Sequence, residues 1–246
     1  PAEQQRGARP REEEDTGADV ALSSAKRRRR DGESATAQDA VAAASAGDVE
    51  LLRALQPREV LTSLTPQGRG SQRNSVAHLN GCGAVHASVL SGHCEVLRVL
   101  FELAGEPALK LRTTSGHTAA CISAGQGHDD CLRALSELGC RIDEALDGGW
   151  TPAHSAAQQN RADTLRTLKT LGASLTMAEV SNEGGWTPVH YAAARGNPDC
   201  IRAIAELEGT ACLTAAVHTR VSSIGLFTPG HFAVANGRLS CLQALH

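Results

Sequence analysis

The sequence predicts an all-α solenoid of stacked helix–turn–helix units. Three observations carry that prediction. A nine-residue string recurs almost unchanged, as Gly149-Trp150-Thr151-Pro152-Ala153-His154-Ser155-Ala156-Ala157 and Gly185-Trp186-Thr187-Pro188-Val189-His190-Tyr191-Ala192-Ala193, 36 positions apart. A turn residue follows each copy at a matching place, Asn160 and Gly196. Aromatic residues make up only 2% of the 246-residue chain, so Ala and Leu supply most of the apolar 41%. That composition suits close-packed small helices better than a β-sandwich.

Each element has a local reason. Thr151 is a good N-cap, and Pro152 sits at the first helical position, where its missing N–H costs nothing. A short helix follows to about Gln159. Asn160, Gly127 or Gly196 then accepts a positive φ in a tight turn. A second helix places Leu165, Leu168 and Leu171 on one side, and Gly172 suits its left-handed C-terminal cap. Such a pair is too small to bury its apolar face alone, but stacked copies make one continuous core.

Further copies extend the pattern. Phe227-Thr228-Pro229-Gly230-His231-Phe232-Ala233 is a third, Gly116 to Ala124 a weaker one, and Gly83 to Ser88 a degenerate one. The motif-histidine positions, 86, 121, 154, 190 and 231, are separated by 35, 33, 36 and 41 residues. Second halves open at Gly92, Gly127, Asn160, Gly196 and Gly237, and an early half-copy runs from Ala46 to Leu55.

This pattern resembles the ankyrin repeat, G-x-T-P-L-H-x-A-A-x-x-G-H followed by an apolar helix and G-A. The departures are Ala119-Ala120-Cys121 in one copy and the loss of Thr-Pro at 83–84. The expected organisation is a disordered charged head over 1–36 and an array over 37–246. The array divides into a leading half-repeat at about 38–56, an irregular linker over 57–82, and repeats at about 83–115, 116–148, 149–184, 185–224 and a truncated 225–246. The head has almost no large apolar residue with which to offset the entropy of ordering.

The formal net charge is −3, from 24 basic and 27 acidic residues. That balance argues against a general nucleic-acid or membrane-surface binder, and no apolar run reaches the roughly 18 residues of a membrane span. The eight cysteines form no C-x-x-C pair. They read as reduced thiols of a cytoplasmic or nuclear protein.

Candidate chemistry is sparse. Phosphate-loop, zinc-protease and nucleophile-elbow motifs are absent, and Gly68-Arg69-Gly70 and Gly81-Cys82-Gly83 lack the flanks of a phosphate loop. The resemblance implies that His86, His154, His190 and His231 bond their own motif and neighbouring backbone. Copies about 10 Å apart cannot share a zinc ion held about 2 Å from each nitrogen. Cys131, Cys200 and Cys241 fall at the first inward position of the second helix, where Cys packs as a small hydrophobe. A redox-active thiol is expected only in loops, such as Cys82 or Cys212, and nothing near either predicts a low pKa. No cofactor, metal, catalysis or small-molecule substrate is expected.

Two features read as binding sites. Lys26-Arg27-Arg28-Arg29-Arg30 is either a nuclear-import signal or a solvated charge run. The rare aromatics cluster just before the motif Thr, as His117, Trp150, Trp186 and Phe227. The resemblance places that position in hairpin-like fingers on the concave side. Gln126, Gln158, Gln159, Arg195 and Asn236 lie just before the turns. An aromatic row edged by Gln, Arg and Asn reads as a protein-binding face; the alternative is that the aromatics pack against adjacent fingers and stiffen the array. The expected function is a scaffold or adaptor binding another protein. The alternative is the targeting arm of a larger enzyme, such as a ubiquitin ligase, kinase or acyltransferase.

Overall fold

The computed structural model describes residues 17–31, 34–55, 58–64, 81–146, 148–177, 185–214, 217–218 and 226–246. The head before residue 17, the Gly68-Arg69-Gly70 run and part of the connector before Trp186 lie outside the described residues. Helix α1 (Gly17–Arg30) comes first, followed by the pair α2 (Ala37–Ala46) and α3 (Val49–Ala54) and the short α4 (Arg58–Leu61). The pair α5 (Ala84–Ser91) and α6 (Cys94–Ala104) carries a one-turn helix, α7 (Glu106–Leu109). Three more pairs follow: α8 (Ala119–Gln126) with α9 (Asp129–Glu137), α10 (Pro152–Gln158) with α11 (Ala162–Thr170), and α12 (Pro188–Arg195) with α13 (Pro198–Glu208). A two-stranded ribbon, β1 (Val217–His218) and β2 (Leu226–Phe227), leads to α14 (Pro229–Ala235) and α15 (Leu239–Ala244).

Two helical rows run through the molecule. The first helices stack in the order α2, α5, α8, α10, α12, α14, and the second helices in the order α3, α6, α9, α11, α13, α15. Periodicity in the sequence becomes periodicity in the core. Leu52, Leu97, Leu132, Leu165 and Ile201 hold one position of the second helix and are all fully buried. Leu100, Leu135, Leu168 and Ile204 hold the position three residues on and are buried too. Each such side chain contributes roughly 1.5–3 kcal/mol on leaving water, but only because the neighbouring pair covers it. Cys131, Cys200 and Cys241 are fully buried at the inward position, where Leu51, Val96 and Thr164 stand in the copies without Cys.

The turns lock one repeat to the next. Each turn glycine adopts a left-handed backbone, and the side chain after the following repeat's turn lies across it: His93 over Gly47, His128 over Gly92, Arg161 over Gly127 and Arg238 over Gly196. In the copy whose turn is Asn160, the amide of Asn197 donates to the Ala157 and Gln158 carbonyls at 2.8 and 3.1 Å. These bonds satisfy carbonyls that the end of a helix leaves open.

Three expectations need correction. The head is not wholly disordered, because residues 17–30 form α1, which packs on α2 and buries Ala25. The leading segment is a full helix pair, with Thr36 as N-cap and Gly47 as the turn. The linker over 57–82 contains α4, whose Leu61 is buried.

Candidate protein-interaction face

His86, His154 and His190 are buried in the stack, whereas His231 of the last copy is exposed and bonds only Thr228 of its own motif among the described residues. In the copy at 149–157, the Thr151 backbone N–H donates to His154 Nδ1 at 3.1 Å, and Thr151 Oγ1 lies 2.8 Å from the same nitrogen. That acceptor role puts the ring proton on Nε2, which donates to the Trp186 carbonyl of the next repeat at 3.0 Å. His86 repeats the arrangement, receiving the Gly83 N–H at 3.0 Å and reaching the Leu111 carbonyl at 3.0 Å. Burial pushes the His86 pKa down to about 4, against a smaller opposing effect of its bond to Leu111. No group of three potential metal ligands gathers among the described residues.

Fingers project from the N-terminal ends of the first helices. One closes through Thr113 N–H to the His117 carbonyl (2.9 Å), and the next through Leu146 N–H to the Trp150 carbonyl (2.7 Å). A third pairs Val217 with Phe227. The finger aromatics do not stand apart. Trp150 packs edge-on to Tyr191 at 4.8 Å, Tyr191 meets Trp186 at 4.9 Å, Trp186 meets Phe232 at 4.3 Å, and Phe232 lies 5.9 Å from Phe227. Each such contact is worth about 0.5–1.5 kcal/mol beyond burial. Trp150 Nε1 donates to Ser155 Oγ at 2.8 Å, whereas Trp186 Nε1 is buried without a partner among the described residues.

Trp150, Trp186 and Phe227 are therefore half-buried members of a ladder that joins repeats, not a freely exposed row. His117 lies outside this ladder, exposed on its own hairpin with Nδ1 3.2 Å from Ser115 Oγ. Gln126, Gln159, Arg195 and Asn236 are exposed at the opposite ends of the first helices, and Gln158 is half-buried. A first helix of eight residues spans about 12 Å. The predicted residues thus form two parallel rows, fingers and turns, on either side of the first-helix row. Tyr191 and Phe232 join the aromatics of neighbouring fingers. Both occupy the motif position four residues after the capping Thr, and their types at that position were the available signal.

The basic cluster is divided by its own helix. Lys26 pairs with Asp48 at 2.6 Å, Arg27 lies 3.7 Å from Asp31, and Arg28 pairs with the buried Asp39. Arg29 and Arg30 are exposed. Burial raises the Asp39 pKa, but hydrogen bonds from Arg28 and Thr36 outweigh it and hold the carboxyl below its ordinary value. The bond from Lys26 and the Leu51 N–H lower Asp48 as well.

Burial holds several thiols in the unreactive, protonated form. Burial pushes Cys121 up to about 11 and both Cys131 and Cys200 up to about 12. Cys82 and Cys212, the loop candidates, are also raised by burial, and the Cys212 thiol donates to the Gly209 carbonyl at 2.9 Å. Neither has the depressed pKa of a redox-active thiol.

Comparison with known proteins agrees with this geometry. A family description of ankyrin repeats in three copies matches residues 85–179, and one of ankyrin repeats in many copies matches 160–204. The chain is 31% identical over 138 residues to the E3 ubiquitin-protein ligase XBAT32 of Arabidopsis thaliana, covering 55% of this chain and 25% of that protein. It is 30% identical over 93 residues to the human ankyrin repeat and SOCS box protein 11, covering 37% of this chain and 27% of that one. It is 33% identical over 76 residues to the mouse protein phosphatase 1 regulatory subunit 27, covering 31% of this chain and 48% of that one. The chain spans about a quarter of the length of the first two relatives and about half of the third. Motif, stacked helix pairs and family match converge, and this chain belongs to the ankyrin-repeat proteins.

Proposed function

We propose that the array binds another protein along the first-helix row, between the fingers and the turns, and that it performs no catalysis itself. The supporting observation is the pairing of two rows across one rigid surface. Half-exposed Trp150 and Trp186 stand on one side, and exposed Gln126, Gln159 and Arg195 on the other. Trp and Arg are favoured anchors of protein interfaces, and the ladder holds the tryptophans in place before a partner arrives, which lowers the ordering cost of binding.

The test is affinity capture with quantitative mass spectrometry. Wild type is compared with Gln126→Ala/Gln159→Ala, with Trp150→Ala/Trp186→Ala shown folded by circular dichroism, and with an outer-helix control, Arg98→Ala/Arg133→Ala/Arg166→Ala. Loss of the same partners from the first two and retention by the control supports the reading. Retention by the first two and loss from the control overturns it.

A second reading is favoured by the relatives, which include a ubiquitin ligase and a SOCS box protein. In it, the array selects the substrate of an enzyme. Depleting the protein from cells then raises the level of the captured partner, whereas a plain adaptor leaves that level unchanged.

A further inference from the structure

Charge in this array is sorted by position. The arginines of the second helices face carboxylates: Arg98 meets Glu95 and Glu137, Arg133 meets Asp130, Arg166 meets Asp163 and Glu206, and Arg202 meets Asp199. Those pairings turn the acidic residues at the starts of the second helices back along their own helices. The turn edge is different. From Leu90 to Arg238, no acidic residue occupies the two positions before a turn residue, the turn residue itself, or the one after it. Arg161, Arg195 and Arg238 are all exposed there, and none makes an ion pair among the described residues.

Two of these heads are pre-placed. The Arg161 stem lies over Gly127, and its Nε donates to the Gly125 carbonyl at 3.3 Å. The Arg238 stem lies over Gly196, next in sequence to Arg195, so two guanidinium groups belong to one turn. Gln126, Gln159 and Asn236 supply amides along the same edge. We propose that this turn edge binds an extended acidic segment of a partner protein, with one carboxylate at Arg161 and a pair of carboxylates at Arg195 and Arg238. The inference rests on the protein-binding reading and names the chemistry of its partner.

Geometry sets the spacing. Gly127 and Gly196 belong to repeats two apart, about 20 Å at the usual helix-packing distance. An extended chain rises about 3.3 Å per residue, so the single carboxylate and the pair are separated by about six residues. Bidentate guanidinium–carboxylate bonds suit such sites. A nucleic acid matches less well: duplex DNA carries one charge per roughly 1.7 Å of axis, far denser than three arginines over this length.

The test uses fluorescence anisotropy with the whole 246-residue chain. The probe is a labelled peptide of Gly, Ser and Ala with one glutamate and, about six residues later, two adjacent glutamates. Saturable binding that weakens with salt is expected, with at least about tenfold loss in Arg161→Gln/Arg195→Gln/Arg238→Gln. The outer-helix variant Arg98→Gln/Arg133→Gln/Arg166→Gln is expected to bind as wild type. Absence of saturable binding, equal loss in both variants, or tighter binding of a single-stranded oligonucleotide than of the peptide overturns the inference. If the turn-edge variant still captures partners that the Gln126→Ala/Gln159→Ala variant loses, this inference fails while the protein-binding reading stands.

Discussion

His154 Nε2 donates to the Trp186 carbonyl 32 residues away, at 3.0 Å, and so joins the cap of one repeat to the finger of the next. The bond requires His154 Nδ1 to be an acceptor, a role fixed by the Thr151 N–H. Replacing His154 with Ala removes both bonds and leaves the Trp186 carbonyl without this donor. The expected cost is about 2–4 kcal/mol, from two lost bonds and a desolvated acceptor. Urea unfolding monitored by circular dichroism measures it.

His86 makes stability depend on pH. Its folded pKa, about 4, lies below the ordinary value of 6.5. Between those values the unfolded chain binds more protons than the folded one, so stability rises with pH across this window. The contribution is complete above about 6.5 and is lost as pH falls toward 4. It amounts to about 3 kcal/mol at most. Asp39 and Asp48, both lowered, weaken the fold in the same direction under acid. The urea midpoint is expected to fall from pH 7 to pH 4.5, and less steeply in His86→Gln than in wild type.

Helix α1 is held by charge as much as by apolar contact. Arg28→Ala leaves the buried Asp39 carboxylate with only its Thr36 bonds. Because Arg28 is itself partly exposed, the expected loss is about 1–2 kcal/mol, below that of a fully buried pair. Hydrogen exchange is expected to rise first in α1. The import reading of Lys26–Arg30 then becomes a statement about docking: an acidic import groove reaches Arg28 only after α1 leaves its seat. Fluorescent fusions of wild type and Arg28→Ala test this by their nuclear fraction, expected to be higher in the variant.

Gly196 and Gly172 separate backbone strain from crowding. Both have φ near +90°, at +89° and +86°. A Cβ on Gly172 meets open space, while one on Gly196 meets Arg238 Cδ at 2.9 Å. Gly172→Ala is expected to cost about 1–2 kcal/mol from the left-handed backbone alone. Gly196→Ala is expected to cost more and to displace Arg238. Thermal denaturation of the two variants gives the difference.

Cys121, Cys131 and Cys200 are expected to resist thiol reagents at pH 7.5 until the array unfolds, since burial keeps them protonated. Mass-resolved alkylation with and without urea reads this directly.

What was legible in the sequence follows from what is local. Thr187, Pro188, His190 and Gly196 define a cap, a helix start and a turn within one repeat, and the structure uses them so. The inward Cys131, Cys200 and Cys241 follow from helix periodicity. Helix α1 was not legible, because its apolar content is low and its seat depends on Arg28 meeting Asp39 across a turn. The tryptophans were visible as a row and their packing against adjacent fingers stood as the alternative reading, but the route of that packing was not legible. It depends on Tyr191 and Phe232, which come into contact only when the repeats stack. The uncompensated arginines of the turn edge were likewise hidden, because Arg161 and Arg98 look alike until the positions of Glu95 and Glu137 are known.

Recognition is proposed to occur between the fingers and the turns. Hydrogen-exchange mass spectrometry on the array, alone and with a captured partner, tests it most directly. New protection is expected in the fingers around residues 112–118 and at Leu146 and 148–150, and at the turns carrying Gln126, Gln159 and Arg195, with α9, α11 and α13 unchanged. Protection confined to α9, α11 and α13 would contradict it.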